Sequence, residues 1–280
     1  MIAAVAAGFD RDVAACLAHV ERLVASARER GVRLLVLPEC ALGGYLREAD
    51  GAGLDLPPAL APDGPEIARL AAIAGDVVLC VGYTERDGED RCSSAVCVTG
   101  DGVLGHQRKV HLPPAERFAY AAGDGFAAFD TPVGRIGMLL CYDKLFPEAA
   151  RALALDGAEI VCSLAAWPAD RLAPAPRLAD DRQTRHFDAI DQARAIENQV
   201  VWVSSNQAGP WGRLRFLGGA KIVDPDGVVL ATTGARPGTA IAELHATRAV
   251  RELRAQIDHL GDRRPEAYGP PRGAVVAASG

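Results

Sequence analysis

Cys141 closes the apolar run Arg135-Ile-Gly-Met-Leu-Leu140 and is followed at once by Tyr142-Asp143-Lys144-Leu145-Phe146-Pro147-Glu148. A stiff strand that ends in a thiol and then turns into a helix can present a nucleophile. The strand fixes Cβ, and a helix N-terminus that follows can lower the thiol pKa and stabilise an oxyanion. A free thiol with a pKa near 8.5 is only a few per cent ionised at neutral pH, so it needs a base and a cation. Glu39, at the end of Leu35-Val-Leu-Pro-Glu39, is a carboxylate placed at a strand end. Lys109 lies in His106-Gln-Arg-Lys-Val-His-Leu-Pro113. Each also has a plain structural reading. Glu39 reads as a solvated strand-end carboxylate, Lys109 as part of a basic surface turn, and Cys141 as a core thiol. His106 and His111 beside Lys109 lack a third neighbour at metal-ligand spacing, so no metal site is read there.

The elements that must hold these groups alternate between strand and helix. Residues 1–9 read as a strand. Apolar residues at Val13, Leu17, Val20, Leu23 and Val24 give helical spacing between Asp10, which can cap the start, and Gly31, which can end it. Arg33–Pro38 is a short buried strand, residues 43–64 a Gly-, Pro- and Asp-rich loop, Pro65–Gly75 a helix and Asp76–Tyr83 a strand. Ser93–Val110 reads as a hairpin turning at Thr99-Gly-Asp-Gly102. The strand 134–141 leads into a helix over 147–156, and Glu159–Leu164 is a further strand. Residues 166–181 carry three prolines and form a long loop. A helix from Thr184 to Asn198 precedes the strand Val200–Ser205. A second hairpin turns at Asp224-Pro-Asp-Gly227, and a strand Thr239–Leu244 leads to a last helix ending near His259. Hairpins mixed with helical crossovers predict mixed sheets covered by helices. No linker or repeat divides the chain, so residues 1–268 read as one domain. Residues 269–280 read as a flexible Gly-, Pro- and Ala-rich tail.

The 280 residues are enough for one large α/β domain. A net charge of −6 argues against nucleic acid as partner, because neutralising phosphates needs a basic surface. The apolar start, Met1 to Phe9, lacks a basic leading segment and runs into Asp10-Arg11-Asp12, so a first strand is preferred to a signal sequence. No apolar run nears the roughly 20 residues of a membrane span. Seven cysteines without any CxxC spacing fit a reducing cytoplasm better than a disulfide framework.

Taken together, Leu37-Pro38-Glu39, Lys109-Val-His-Leu-Pro113 and Cys141-Tyr-Asp-Lys-Leu-Phe-Pro-Glu148 resemble the three catalytic segments of the carbon–nitrogen hydrolase (nitrilase) superfamily, in the same order. Arg194-Ala-Ile-Glu-Asn198 with the following Asn206, Gly218–Gly227 and Arg264-Pro-Glu-Ala-Tyr268 resemble further family segments, so the likeness runs from residue 1 to about 268. The resemblance implies an α/β fold, a four-layer α-β-β-α sandwich. Two such units would pair as a homodimer or higher homo-oligomer, with helices 147–156 and 184–198 as candidate interface elements. It implies Cys141 as nucleophile, Glu39 as general base and later acid, Lys109 as the cation that stabilises a tetrahedral intermediate, and Glu116 as a second active-site glutamate. The backbone N–H of Tyr142 would complete the oxyanion hole. No metal or organic cofactor is implied.

Within the superfamily, Cys141-Tyr142-Asp143 resembles the amidase and carbamoylase branches more than the nitrilases, which carry Cys-Trp-Glu. The expected reaction is hydrolysis of a small-molecule amide to a carboxylic acid and ammonia or amine through a thioester. N-carbamoyl-amine hydrolysis, nitrile hydrolysis and acyl transfer use the same residues. Tyr45, Trp167 and Trp211 are candidate pocket walls, and the loop from Trp167 to Arg185 is a candidate rim. Asp143 either faces a cationic substrate or serves as a helix N-terminal carboxylate.

Overall fold

The computed structural model describes residues 1–48 and 53–269; the tail expected from Pro270 lies outside the described residues. The first half of the chain contributes β1 (Ile2–Ala7), α1 (Val13–Glu29), β2 (Leu34–Val36), β3 (Arg47–Glu48), β4 (Leu54–Asp55), α2 (Pro65–Ala74), β5 (Val78–Asp87), β6 (Asp90–Thr99) and β7 (Gly102–Arg108). The second half contributes β8 (Ala128–Thr131), β9 (Gly134–Leu140), α3 (Pro147–Leu155), β10 (Ile160–Ala165), α4 (Arg182–Asn198) and β11 (Val201–Trp211). It ends with β12 (Leu214–Leu217), β13 (Lys221–Val223), β14 (Val229–Thr232), β15 (Gly238–Ala242) and α5 (Ala246–Arg254).

Strand alternation builds the layers. Along β1, Ala3 and Val5 face α1 and α2 together with Leu35, Leu37, Leu79 and Val81. Their neighbours Ile2, Ala4, Leu34, Val36, Val78 and Cys80 face the opposite way. There they meet Ile136, Met138, Leu140, Ile160, Cys162, Val201 and Val203 from β9, β10 and β11. The intervening residues Leu139, Val161 and Trp202 point outward onto α3 and α4. With side chains pointing alternately to the two faces of each strand, this partition makes helix, sheet, sheet and helix the four successive layers.

The sheet path runs β7-β6-β5-β2-β1-β11-β10-β9-β8. Parallel pairs occupy its centre (β5–β2–β1 and β11–β10–β9), and antiparallel pairs flank them. Along this path the two halves meet at a corner where Ala6 and Ala7 of β1 pair with Asn206 and Gln207 of β11, and β15 also pairs antiparallel with β1. The C-terminal ends of β2, β10 and β11 therefore converge at that corner. In α/β folds this is where a cleft forms.

Several boundaries differ from the sequence reading. The first helix starts at Val13, so Asp12 is its cap and accepts the Ala15 N–H, while Asp10 takes the Arg11 N–H. The strand expected to stop at Tyr83 continues to Asp87 and forms its own hairpin with β6. The 43–64 loop contains the small β3–β4 pair. α4 starts at Arg182, capped by Asp181. The last helix ends at Arg254 rather than near His259; the His259 N–H goes instead to Gln199 Oε1. Among the described residues no helix is long and apolar enough to cross a membrane.

Candidate active site

Glu39 sits where β2 ends. The Leu37 N–H still reaches Cys80 O of β5, and the chain then crosses directly above Gly82. Only glycine allows that approach: a Cβ at residue 82 would lie 2.6 Å from Glu39 Cα and 2.7 Å from Cys40 N. β11 grips the same segment, with Ser205 Oγ donating to Leu37 O at 2.7 Å and Gln207 Nε2 to Glu39 O at 2.9 Å. The Glu39 side chain is fully buried and hydrogen-bonded at both oxygens. Oε1 accepts from Lys109 Nζ at 2.8 Å and Ser93 Oγ at 3.0 Å, and Oε2 accepts from the Ala166 N–H at 3.0 Å.

Lys109 follows β7, its N–H held by Ser93 O. Its buried ammonium donates to Glu39 and to both oxygens of Glu116, at 2.8 and 2.7 Å. These three contacts use all three of its donors. Glu116 opens the short turn Glu116–Phe118 and also accepts Tyr45 OH at 2.5 Å. Burial by itself would lower the Lys109 pKa, but Glu116 and Glu39 outweigh it and hold the ammonium well above the ordinary lysine range. Burial raises the pKa of Glu116, opposed by Lys109 and reinforced by Glu39.

β9 delivers Cys141 into the turn Cys141–Leu145 with φ of 46°. A left-handed conformation in a non-glycine residue stores about 1–3 kcal/mol, and here it swings the thiol out of the strand direction. Burial, then the charge of Glu39, pushes the thiol pKa up, with a smaller push from Glu116; Lys109 and the Ala166 N–H pull it down. The net direction is upward, not the lowering that a following helix N-terminus would give; the turn Cys141–Leu145 separates the thiol from α3, which starts at Pro147.

Cys141 opens onto a cavity of about 620 Å³ that Glu116, Tyr142, Tyr45, Trp167 and Trp211 also line. Glu39 and Lys109 lie behind this lining, fully buried. Trp167 is fixed at its backbone by Asn206 Oδ1 (2.7 Å) and at its ring by Gln183 Oε1 (2.9 Å). Trp211 Nε1 donates to Tyr45 O and Leu46 O. The loop after β10 is pinned by Asp170 and Asp181, whose oxygens accept backbone N–H groups of Leu172, Ala173 and Ala175.

Asp143 is not among the residues that line the cavity. Its buried carboxylate accepts the His111 N–H at 2.8 Å, His111 Nδ1 at 2.9 Å and the Leu140 N–H at 3.2 Å. It ties the end of β9 to the loop after Lys109. The Leu140 contact places it as an N-terminal carboxylate of the turn Cys141–Leu145. His106, the other histidine beside Lys109, contacts Glu85.

Sequence reasoning passed over Ser93, Ala166, Ser205 and Gln207, which orient Glu39. It also missed a buried ion cluster beneath the Cys141 turn. Asp191 of α4 accepts Lys144 Nζ and Lys221 Nζ, each at 2.8 Å, and Trp202 Nε1 at 2.9 Å. Burial lowers the Lys144 pKa to about 8 despite the pull of Asp191. A signal existed for two of these groups: Ser205 and Gln207 are polar residues at the end of an apolar strand, which in an α/β sheet points toward the cleft.

With this geometry in place, the likeness to known proteins is specific. A family model described as carbon-nitrogen hydrolase matches residues 1–252. A nitrilase from Pyrococcus abyssi is 34% identical over 255 residues, covering 89% of this chain and 90% of the relative. An N-carbamoylputrescine amidase from Solanum lycopersicum is 29% identical over 273 residues, covering 92% and 89%. A solved variant of the amidase from Nesterenkonia sp. AN1 shows covalent addition of the acetamide moiety of fluoroacetamide at its active-site cysteine. It superposes with a TM-score of 0.76 at 27% identity, covering 95% of this chain and 94% of the other.

Proposed function

The chain belongs to the carbon–nitrogen hydrolase family, and from that premise we propose that it hydrolyses a small-molecule amide to a carboxylic acid and ammonia through a thioester on Cys141. One observation carries the reading. A buried Glu39–Lys109–Glu116 cluster stands behind the thiol that opens onto the cavity.

Glu39 Oε takes the thiol proton as Cys141 Sγ bonds to the amide carbon, and the carbonyl π pair moves onto oxygen. That oxyanion is held by Lys109 Nζ and the Tyr142 N–H. Lys109 reaches it by giving up one of its two contacts to Glu116, while the other contact keeps the ammonium in place. Protonated Glu39 then passes its proton to the amide nitrogen, the C–N bond breaks, and ammonia leaves. Glu39 next deprotonates a water that attacks the thioester, the acid is released, and the sulfur recovers its proton. General-base catalysis of this kind contributes about 10²–10⁴-fold, and each oxyanion donor about 10²–10³-fold.

The test is ammonia release from purified protein across aliphatic amides, N-carbamoyl amines and nitriles, joined to intact-mass analysis after fluoroacetamide. One acetamide adduct on the wild type and none on Cys141→Ala is the expected result. Wild-type turnover by Cys141→Ala sinks the proposal. Pairing of two copies through α3 and α4 belongs to the same reading, supported by the exposed Leu155 and Ile196 on those helices; sedimentation of the intact protein tests it.

A further inference from the structure

We propose that the cavity selects amides whose acyl group is large and apolar, and that it rejects acyl groups carrying a positive charge. This rests on the amidase reading above and adds the substrate class.

Size comes first. At about 620 Å³ the cavity falls within the roughly 300–1,000 Å³ that encloses a drug-sized ligand. A two-carbon amide would leave most of it to water. Its walls are apolar surface held rigid. Tyr45, Trp167 and Trp211 each commit their polar atom to the protein: to Glu116, to Gln183, and to the Tyr45 and Leu46 carbonyls. What they offer a ligand is ring surface, and Leu145 and Leu172 extend it toward solvent. Leu172 is 94% exposed, an open apolar side chain that a bound acyl group would cover.

Charge comes second. Among the described residues, the acidic side chains on the lining are Glu116 and Asp170. Glu116 is taken by Lys109 and Tyr45. Asp170 is taken by Arg182 on one oxygen and by the Leu172 and Ala173 N–H groups on the other. Both carboxylates are already held in ion pairs, with Lys109 and with Arg182, and Arg47, itself paired with Asp55, lies on the exposed part of the lining. A cationic acyl chain would lose its hydration and meet ring surface in place of an uncommitted carboxylate.

The experiment compares acetamide, butyramide, hexanamide and 3-phenylpropionamide with 6-aminohexanamide. Ammonia release is measured on the wild type, and calorimetric binding of the same amides on Cys141→Ala. Each buried methylene is expected to raise kcat/KM about fourfold, and 6-aminohexanamide to fall at least tenfold below hexanamide in both turnover and affinity. Acetamide as the best substrate, or 6-aminohexanamide equal to hexanamide, overturns the selection. No ammonia from any amide overturns the amidase reading instead, and the binding series on Cys141→Ala still decides the pocket's preference.

Discussion

Lys144 Nζ lies 2.8 Å from Asp191 Oδ1, both fully buried, directly beneath the turn that begins with Cys141. The same helix returns to that turn through Arg194, whose Nε donates to Lys144 O at 3.0 Å and Nη2 to Leu145 O at 3.1 Å. Lys221 closes the cluster on the other oxygen of Asp191, and both ammonium groups lie over the Phe187 ring. α4 thus holds the Cys141–Leu145 turn by side chain and by backbone.

Asp191→Asn leaves the buried Lys144 ammonium facing a neutral amide and Lys221 with Asp188 as its remaining carboxylate. Breaking a buried pair costs about 3–5 kcal/mol, because the remaining charge has no solvent to return to. Urea unfolding should show that loss. The triple replacement Lys144→Met, Asp191→Leu, Lys221→Met removes the three buried charges, leaves only the half-exposed Asp188, and should regain most of the stability. A triple variant less stable than Asp191→Asn contradicts the desolvation argument.

Lys109 carries two burdens that can be separated. Lys109→Met removes the proposed oxyanion donor, expected to cut kcat/KM by about 10²–10³-fold or more, and leaves Glu39 and Glu116 buried without their shared cation. Adding Glu116→Gln should restore much of the stability, since one carboxylate disappears, and none of the turnover. Recovery of turnover in the double variant would mean that Lys109 acts only as a structural counter-ion.

The sequence carried the core of this site because its three segments sit at strand ends and are locally contiguous. Glu39, Lys109 and Cys141 each follow a strand, and the apolar runs of β2 and β9 and the hairpin turn before β7 were legible. The partners that aim them are distant in the chain. Ala166 lies 127 residues from the Glu39 oxygen it serves, and Gln207 lies 168 from the Glu39 carbonyl it holds. No periodicity reports such contacts; they exist only once β2, β10 and β11 converge. The Asp143 ambiguity had the same origin, since the loop bearing His111 decides which way that carboxylate is used. Strands β8 and β12 went unread because Ala-Phe-Asp-Thr and Leu-Arg-Phe-Leu form no continuous apolar run of the kind that marked β2.

Acid should unfold the protein partly through Glu85. Its buried carboxylate receives His106, Arg108 and Ser94. Burial alone would raise its pKa, but those hydrogen bonds overcome it and hold it at about 2, below the ordinary 4.5. A depressed carboxylate contributes stability that is complete above about pH 4.5 and lost as the pH falls toward 2. At about 1.4 kcal/mol per pH unit this amounts to roughly 3 kcal/mol. Unfolding free energies measured from pH 2 to 6 should drop across that window in the wild type. In Glu85→Gln they should be lower at neutral pH and flatter below it, and an unchanged slope would remove Glu85 from the account.

Gly82 offers the sharpest test of how Glu39 is positioned, because it touches no substrate. An added Cβ would meet Glu39 Cα at 2.6 Å, with Cys40 N and Pro38 O at 2.7 Å, and all three are backbone atoms that cannot rotate away. In Gly82→Ala the segment carrying Glu39 must therefore shift by several tenths of an ångström. Misplacement approaching 1 Å costs about 10²-fold in rate, so kcat is expected to fall roughly 10- to 100-fold, with destabilisation of about 1–3 kcal/mol. Gly88→Ala is the matched control: residue 88 sits in the β5–β6 turn at φ of 60° with nothing within 4 Å of a new Cβ. It should lose about 1 kcal/mol or more to backbone strain and keep full turnover. Equal turnover in the two variants would show that the close crossing at residue 82 does not set the position of Glu39.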